Sequence, residues 1–235
     1  AEFLLKIGKI SDKTNSMRYY IITFGCQMNK SDSERIASVL ERMGYKSCPS
    51  TNRADLIVVN ACSVRQTAID RIHGLAPQFK RLKAKNSKLK IILTGCVLPA
   101  DKIKFLKGFD LLLNIKDLPH WNKIIAKKHY DKQHNDYLKI KPKYADKKLV
   151  HIPISNGCDN FCTYCAVPYT RLRLVCRSHK DILKEAGEAI KNGAKNIWLL
   201  GQNVNNYKSP ADSSVNFPKL LKMVNNISGN FLIDL

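Results

Sequence analysis

Residues 55–62, DLIVVNAC, form an apolar run that ends on a cysteine, and this pattern predicts a buried β-strand. Two further segments, 18–26 (RYYIITFGC) and 90–96 (KIILTGC), have the same form. Residues 31–34, SDSE, form a capping box, which predicts the start of an amphipathic helix that ends at Gly44. Continuous apolar strands that alternate with helices are typical of a parallel sheet covered on both faces. The chain is therefore predicted to be an α/β protein.

The rest of the chain continues this alternation. In the first series, a helix is predicted at residues 63–83, with a kink or break at Pro77, and a short helix begins near Pro99. Residues 110–115 are predicted to form a strand and residues 118–128 a helix. A second series has predicted strands at 151–155, 196–201 and 231–235 and predicted helices at 178–192 and 217–227. Three strands and two helices cannot close a barrel, so this second series is expected to be an incomplete barrel domain.

These patterns divide the chain into four parts. Residues 1–16 are predicted to be an N-terminal extension, and residues 17–126 the N-terminal domain. Residues 127–148 are polar and strongly basic, which predicts an interdomain linker. The basic residues of the linker form either a solvated loop or an RNA-binding strip. Residues 149–235 form the second domain.

Charge and cysteine content limit the possible functions. Lys and Arg number 40 against 19 Asp and Glu, a formal charge of +21, which favours a polyanionic partner such as nucleic acid. A genome rich in A and T would also produce many lysines. We expect a cytoplasmic protein without membrane contact, because there is no apolar run of membrane-spanning length and no secretory signal. In a reducing compartment, clustered cysteines favour metal ligation or redox chemistry over disulfides.

Three distant cysteines share one structural position. Cys26, Cys62 and Cys96 each lie just past the carboxyl end of a predicted parallel strand. Open parallel sheets bind ligands at that edge, so we expect these three thiolates, the first cysteine set, to converge there. Gly25 and Gly95 beside two of them allow tight turns and close backbone approach. The alternative is three unrelated buried cysteines.

Three more cysteines lie close together after the first strand of the second domain. Cys158, Cys162 and Cys165, the second cysteine set, have the spacing C-x3-C-x2-C. Three thiolates can hold three irons of a [4Fe–4S] cluster and leave the fourth iron free for another ligand. A zinc site would need a fourth protein ligand, with Cys176 or His151 as candidates but without finger-like spacing. A redox pair of Cys162 and Cys165 would leave Cys158 without a role.

The second set, with an aromatic residue (Tyr164) before its last cysteine, resembles the signature of the radical SAM superfamily. The segments FGCQMNKSDSE, NACSVRQTA, TGCVLPAD, GCDNFCTYCAVPYTR and LLGQNVNNY occur in the order typical of MiaB-type methylthiotransferases. The resemblance covers nearly all of the chain from Met17 onward. It implies an N-terminal methylthiotransferase domain and a partial TIM-like radical SAM barrel. Each domain would ligate one [4Fe–4S] cluster, through the first and second cysteine sets respectively.

The resemblance also implies a mechanism. S-adenosyl-L-methionine (SAM) would bind the open iron of the second-set cluster and be cleaved to a radical that abstracts hydrogen from an unactivated C–H bond. The other cluster would carry the sulfur that is transferred. Tyr164, Arg177, Gln202 and Asn203 are candidates for the SAM pocket. The alternative role for Arg177 is a surface salt bridge, and for Gln202 and Asn203 it is a plain turn. No acid–base catalytic residue can be assigned.

The motifs GCQMN and CSVRQTA resemble the branch that acts on N6-isopentenyladenosine next to the tRNA anticodon. The alternatives are methylthiotransferases for threonylcarbamoyl-adenosine or a ribosomal-protein aspartate, or an inactive truncated iron–sulfur fragment. Implied partners are tRNA, SAM and an electron donor such as flavodoxin or ferredoxin, and the protein is expected to be a monomer. We expect the small C-terminal β-domain that grips tRNA in the family to be absent. Leu172 stands where the family usually has glycine, so we expect a backbone there that glycine would suit and slightly impaired SAM placement.

Overall fold

A computed structural model describes residues 16–62, 64, 66–105, 108–126 and 136–235. Residues 1–15 of the predicted extension and residues 127–135 of the predicted linker lie outside the described residues. The domain boundaries at 17–126, 127–148 and 149–235 stay predictions, and the two parts of the chain are called the first domain and the second domain below.

The first domain is an open parallel sheet with helices on its faces, as the sequence predicted. Its five strands run in the order β2-β1-β3-β4-β5, and every pair is parallel. The strands are β1 (Arg18–Thr23), β2 (Lys46–Ser47), β3 (Leu56–Cys62), β4 (Lys90–Cys96) and β5 (Leu111–Leu112). The helices are α1 (Gln27–Arg42), α2 (Gln66–Gly74), α3 (Ala76–Lys85), α4 (Pro99–Phe105) and α5 (Trp121–Ala126). The predicted break at Pro77 is confirmed, because α3 starts afresh with Pro77 in its first turn.

The central strand β3 shows why its sequence is continuously apolar. All seven of its residues are buried, and they alternate between two hydrophobic cores, one on each face of the sheet. Leu56 and Val58 pack into one core, whereas Ile57 and Val59 pack into the other. A strand in the middle of a covered parallel sheet has no solvent-facing side, so most of its residues are apolar. The polar Asn60 in this strand is buried and keeps hydrogen-bond partners, among them Asn29.

The prediction of a helix start at the capping box is wrong. Helix α1 begins at Gln27, directly after Cys26, so residues 31–34 lie within it. The polar side chains of this segment contact the second domain and the linker segment instead. Ser31 Oγ donates a hydrogen bond to the carbonyl of His151 at 3.1 Å, and Glu34 accepts one from the Ala145 N–H at 3.1 Å. Interdomain contacts therefore explain the pattern that the sequence alone assigned to a cap.

The described part of the predicted linker packs on the first domain. Tyr137, Leu138 and Ile140 are buried in the same core as Leu118 and Trp121. Burial of the three linker side chains removes apolar surface from water, which fixes this end of the linker against the sheet. The described part of the linker is therefore not a freely solvated loop.

The second domain contains the predicted helices and the three predicted parallel strands, which form a sheet of order β12-β9-β6. Its strands are β6 (Leu149–Pro153), β7 (Ser155–Asn156), β8 (Val175–Cys176), β9 (Asn196–Leu200), β10 (Lys208–Ser209), β11 (Asp212–Asn216) and β12 (Leu232–Asp234), and its helices are α6 (Val167–Thr170), α7 (His179–Lys191) and α8 (Phe217–Asn225). The antiparallel pairs β7–β8 and β10–β11 were not predicted. Three parallel strands do not close a barrel, so the predicted partial barrel is confirmed.

The two domains share a buried polar interface. Helix α1 packs against β6, and Arg35 of α1 donates a hydrogen bond to Glu185 of α7 at 3.2 Å. Glu185 also accepts one from Arg177 at 2.6 Å. Arg35 is fully buried, so its charge is compensated inside the protein rather than by water. The interface therefore holds the domains in a defined relative position.

Glu34, in this interface, should make stability depend on pH. Burial raises the pKa of its carboxyl to about 7, against the opposing effects of the Ala145 N–H and Arg35. The folded protein thus binds the proton more tightly than the unfolded chain, and the free energy of unfolding should fall as pH rises from about 4.5 through 7. Glu34→Gln keeps an acceptor for Ala145 but removes the charge. The free energy of unfolding of the variant, minus that of the parent, should therefore increase by about 3 kcal/mol between pH 5 and pH 8.

This difference can be measured by urea unfolding of both proteins between pH 5 and 8. Parallel stability curves for the parent protein and the Glu34→Gln variant would show that Glu34 does not titrate in this range.

Candidate metal centre

The first cysteine set lies at the carboxyl edge of the five-stranded sheet. Cys62 and Cys96 end β3 and β4 and face each other as neighbours across the two strands. Cys26 occupies the N-cap of α1, and a Cβ atom at the adjacent Gly25 would lie 3.1 Å from the Cβ of Cys62. The structure thus brings the three cysteines to one edge, as predicted. Their role as ligands stays a prediction.

Glycine and asparagine shape this edge. Gly95 has φ +98°, and a Cβ there would lie 2.3 Å from the carbonyl oxygen of Ala61, so no other residue fits. Asn29 donates hydrogen bonds to the Asn60 side chain at 3.0 Å and to the Ala61 carbonyl at 2.9 Å. Its own side-chain oxygen lies 3.4 Å from Cys26 Sγ. These contacts tie the start of α1 to the end of β3.

Cys96 meets a buried arginine of the second domain. The Arg171 side chain donates hydrogen bonds to Cys96 Sγ at 2.9 Å, to Asn156 Oδ1 at 3.0 Å and to Asp32 Oδ2 at 2.7 Å. Burial raises the pKa of the Cys96 thiol to about 11, although the Arg171 charge acts in the opposite direction. The second domain therefore reaches directly into the first cysteine set.

The second cysteine set lies on the loop that follows β7. Cys158 is buried, Cys165 is partly buried and Cys162 is exposed. The N–H of Cys165 donates to the carbonyl of Cys162 at 3.0 Å, which closes a tight turn between the last two cysteines. The start of the loop is held by Gln202, whose side-chain oxygen accepts from the Gly157 N–H at 2.6 Å. The loop thus presents its cysteines at the carboxyl edge of the second sheet.

Leu172 supports this loop through its backbone. Its carbonyl accepts a hydrogen bond from the N–H of Cys158 at 3.1 Å, and a Cβ at Gly157 would lie 2.5 Å from the same carbonyl oxygen. Leu172 has φ +63°, in the left-handed region that favours glycine. The expectation of a backbone there that glycine would suit is therefore confirmed.

Replacing Leu172 with glycine should stabilise the protein by about 1 kcal/mol, because a left-handed conformation strains a residue with a Cβ. The leucine side chain is 46% exposed, so little apolar burial is lost. Val175→Gly is a matched control, since Val175 is equally exposed but lies in a strand, and it should destabilise by about 0.5–1 kcal/mol. Denaturant unfolding measures both changes, and a loss of stability in the Leu172→Gly variant would contradict the strain.

The predicted SAM-pocket residues fall into different environments. Gln202 and Asn203 follow β9 at the same edge as the second cysteine set, and Gln202 contacts its loop directly. Tyr164 lies on that loop with 90% of its surface exposed. Arg177 is instead buried in an ion pair with Glu185, so the salt bridge expected at the surface is an interior one. A role for these four residues in SAM binding stays a prediction.

The donor chemistry fits iron–sulfur ligation. All eight cysteines are among the described residues, and all are free thiols, so none is committed to a disulfide. Within the described ranges, no three His, Cys, Asp or Glu side chains stand close enough to hold a metal ion as they are. Thiolates are the usual ligands of iron–sulfur clusters, and both sets supply three.

Sequence reasoning missed the residues that connect the two sets. Arg171, Asp32 and Asn156 are all at most 3% exposed and form one hydrogen-bonded group beside Cys96. Arg171 belongs to the quoted segment GCDNFCTYCAVPYTR, where its position directly after a short apolar stretch gives no sign of burial. A buried arginine is recognised only when its partners on another domain are in view.

Two families match the chain. Residues 18–114 match "Uncharacterized protein family UPF0004", and residues 152–229 match the "Radical SAM superfamily". A tRNA-2-methylthio-N(6)-dimethylallyladenosine synthase of Clostridioides difficile strain 630 is 39% identical over 88% of this chain and 46% of its own length. In both matched regions the chain is similar to the radical SAM methylthiotransferases.

Another relative with the same name extends this similarity over nearly the whole chain. The protein of Thermoanaerobacter sp. strain X514 is 38% identical over 97% of this chain and 51% of its own length. The chain thus spans about half the length of the curated relatives it matches.

Solved structures show the same fold at low sequence identity. The cobalamin-dependent radical SAM enzyme OxsB, solved with aqua-cobalamin and SAM, is 12% identical with a TM-score of 0.57, over 92% of this chain and 38% of that one. The radical SAM methyltransferase TsrM of Kitasatospora setae is 10% identical with a TM-score of 0.51, over 81% and 48% of the two chains. For the second domain, the superfamily match supports SAM and an iron–sulfur cluster as cofactors.

Among the described residues, no helix is both long and apolar enough to cross a membrane. The expected cytoplasmic location stays a prediction.

Proposed function

We propose that this chain carries the cluster- and SAM-binding part of an enzyme that adds a methylthio group to C2 of N6-isopentenyladenosine next to the tRNA anticodon. The observation that carries the proposal is the presence of two separate three-cysteine sets, each at the carboxyl edge of its own parallel sheet. The names of the relatives support the substrate. The formal charge of +21 supports a polyanionic partner such as tRNA.

The second cysteine set would hold a [4Fe–4S] cluster through Cys158, Cys162 and Cys165. Three ligands leave one iron open, and SAM would occupy it. Cys26, Cys62 and Cys96 would hold a second [4Fe–4S] cluster. When bound at the second cysteine set, the cluster and SAM would supply the radical chemistry needed to break the unactivated C–H bond at C2 of adenine.

The residues of the chain position and shield these groups. Gln202 fixes the start of the second-set loop, and Leu172 holds its first cysteine through the backbone. Gly25 and Gly95 allow the close approach of strand ends that the first set requires. Arg171 excludes water from Cys96 and supplies a fixed donor to its sulfur. A small reducing protein such as flavodoxin or ferredoxin would deliver the electron, and the enzyme would act as a monomer.

Mass spectrometry of tRNA nucleosides from a deletion strain tests the substrate. Loss of 2-methylthio-N6-isopentenyladenosine, restored by the parent gene but not by a gene with Cys162→Ala, is the expected result. Cys48→Ala is the matched control, because Cys48 lies outside both sets and contacts backbone carbonyls of the first domain. This variant should restore the modification.

The same deletion strain distinguishes the alternatives when its ribosomal proteins are analysed together with its tRNA nucleosides. Persistence of 2-methylthio-N6-isopentenyladenosine together with loss of its threonylcarbamoyl analogue would assign the enzyme to the branch that modifies threonylcarbamoyl-adenosine. Loss of the methylthio group from the ribosomal-protein aspartate would assign it to the branch that modifies ribosomal protein. No change in any of the three modifications would favour an inactive iron–sulfur fragment.

A further inference from the structure

One two-residue segment of the second domain contacts both cysteine sets. The side chain of Arg171 donates a hydrogen bond to Cys96 Sγ at 2.9 Å, whereas the carbonyl of the next residue, Leu172, accepts one from the N–H of Cys158 at 3.1 Å. Cys96 belongs to the first set and Cys158 to the second. Residues 171 and 172 are therefore a direct covalent and hydrogen-bonded link between the two proposed clusters.

The Arg171 end of this link is rigid. The guanidinium has three partners, and they come from α1, the end of β4 and β7 of the second domain. Its side chain is 2% exposed and that of Asp32 is fully buried, so water does not compete for these hydrogen bonds. A planar guanidinium that contacts a carboxylate, an amide and a sulfur at once has little freedom to move.

We propose that Arg171 is a positioning residue that holds the first-set cluster through Cys96 and fixes its location relative to the second-set cluster. This inference rests on the proposed function, because it requires a cluster on each set. A cationic donor that points at a ligating sulfur stabilises the more negative, reduced state of the cluster. Arg171 should therefore raise the reduction potential of the first-set cluster as well as position it.

The test isolates the first-set cluster. In a parent carrying Cys158→Ala, Cys162→Ala and Cys165→Ala, anaerobic reconstitution should leave about four irons per chain, all on the first set. The midpoint potential of this cluster, titrated by EPR, should fall in the Arg171→Lys variant, which keeps the charge but loses the planar set of donors. It should fall further in the double variant Arg171→Gln with Asp32→Asn, which removes both charges together and so avoids a buried unpaired carboxylate.

A buried ion pair between the same two domains provides the control. Arg35 and Glu185 are hydrogen-bonded across the interface, but Arg35 binds Ser31 and Glu185 rather than a sulfur. The double variant Arg35→Gln with Glu185→Gln should lower stability without moving the midpoint potential. A purely structural role for Arg171 would give the same result as this control.

The outcomes separate the inference from the proposed function. A parent that binds about four irons but keeps its potential in both Arg171 variants overturns the inference alone. A parent with less than about one iron per chain overturns both the proposed cluster on the first cysteine set and the inference.

The positioning role of Arg171 is tested by a separate EPR measurement. In the protein with all six cysteines, the magnetic interaction between the two reduced clusters should split or broaden their EPR signals, and Arg171→Lys should alter this splitting. An unchanged interaction would contradict the positioning role, whereas a changed one would support it. Glu188→Gln serves as the control, since Glu188 forms only an exposed pair with Lys141.

Discussion

Replacing Asp32 with alanine is expected to lower the free energy of unfolding by about 3–5 kcal/mol, because it leaves the buried charge of Arg171 without a partner. The two side chains are 0% and 2% exposed and lie 2.7 Å apart, so solvent cannot take over the role of the carboxylate. The loss should appear in both domains, since Asp32 is in α1 of the first domain and Arg171 follows α6 of the second.

Denaturant unfolding followed by tryptophan fluorescence measures this loss. The two tryptophans of the chain report on different domains, Trp121 on the first and Trp198 on the second. Glu188→Ala is the control, because its pair with Lys141 is largely exposed and should be worth no more than about 0.5 kcal/mol. A loss below about 1 kcal/mol in the Asp32→Ala variant would contradict a stabilising buried ion pair between Asp32 and Arg171.

Replacing Gly95 with alanine should destabilise the protein by more than about 3 kcal/mol, since it combines a left-handed backbone with a backbone clash. The new Cβ would lie 2.3 Å from the oxygen and 2.8 Å from the nitrogen of Ala61, neither of which can move without separating β3 from β4. Because Cys62 and Cys96 end these strands, the variant should also lose iron from the first set.

Gly193→Ala separates the two causes. Gly193 has φ +96°, close to the +98° of Gly95, but a Cβ there meets no atom within 4 Å. It should lose only the conformational part, about 1–2 kcal/mol, and keep its iron. Equal losses for the two variants would contradict the close contact at Gly95.

The sequence was sufficient for the features that depend on local pattern. The apolar runs that end at Cys62 and Cys96 predicted parallel strands, and parallel strands necessarily place their carboxyl ends at one edge. The convergence of the first cysteine set followed from that rule. Leu172 was also detected, but through the family resemblance, because the family usually has glycine at that position.

The features that depend on contact between domains were not predicted. Ser31 and Glu34 matched a capping box, yet they bind backbone groups of β6 and the linker segment. The burial of Arg171 depends on Asp32, which lies 139 residues away in the sequence. Such pairs leave no periodicity or spacing in a single sequence, so only the three-dimensional arrangement reveals them.

The number of irons per chain after anaerobic reconstitution tests the central claim, that each cysteine set holds a [4Fe–4S] cluster, most directly. We expect about eight irons and eight sulfides in the unmutated chain. Replacing all three cysteines of either set by alanine should leave about four, and Cys48→Ala should leave about eight. A value close to four in the unmutated protein would contradict the two-cluster account.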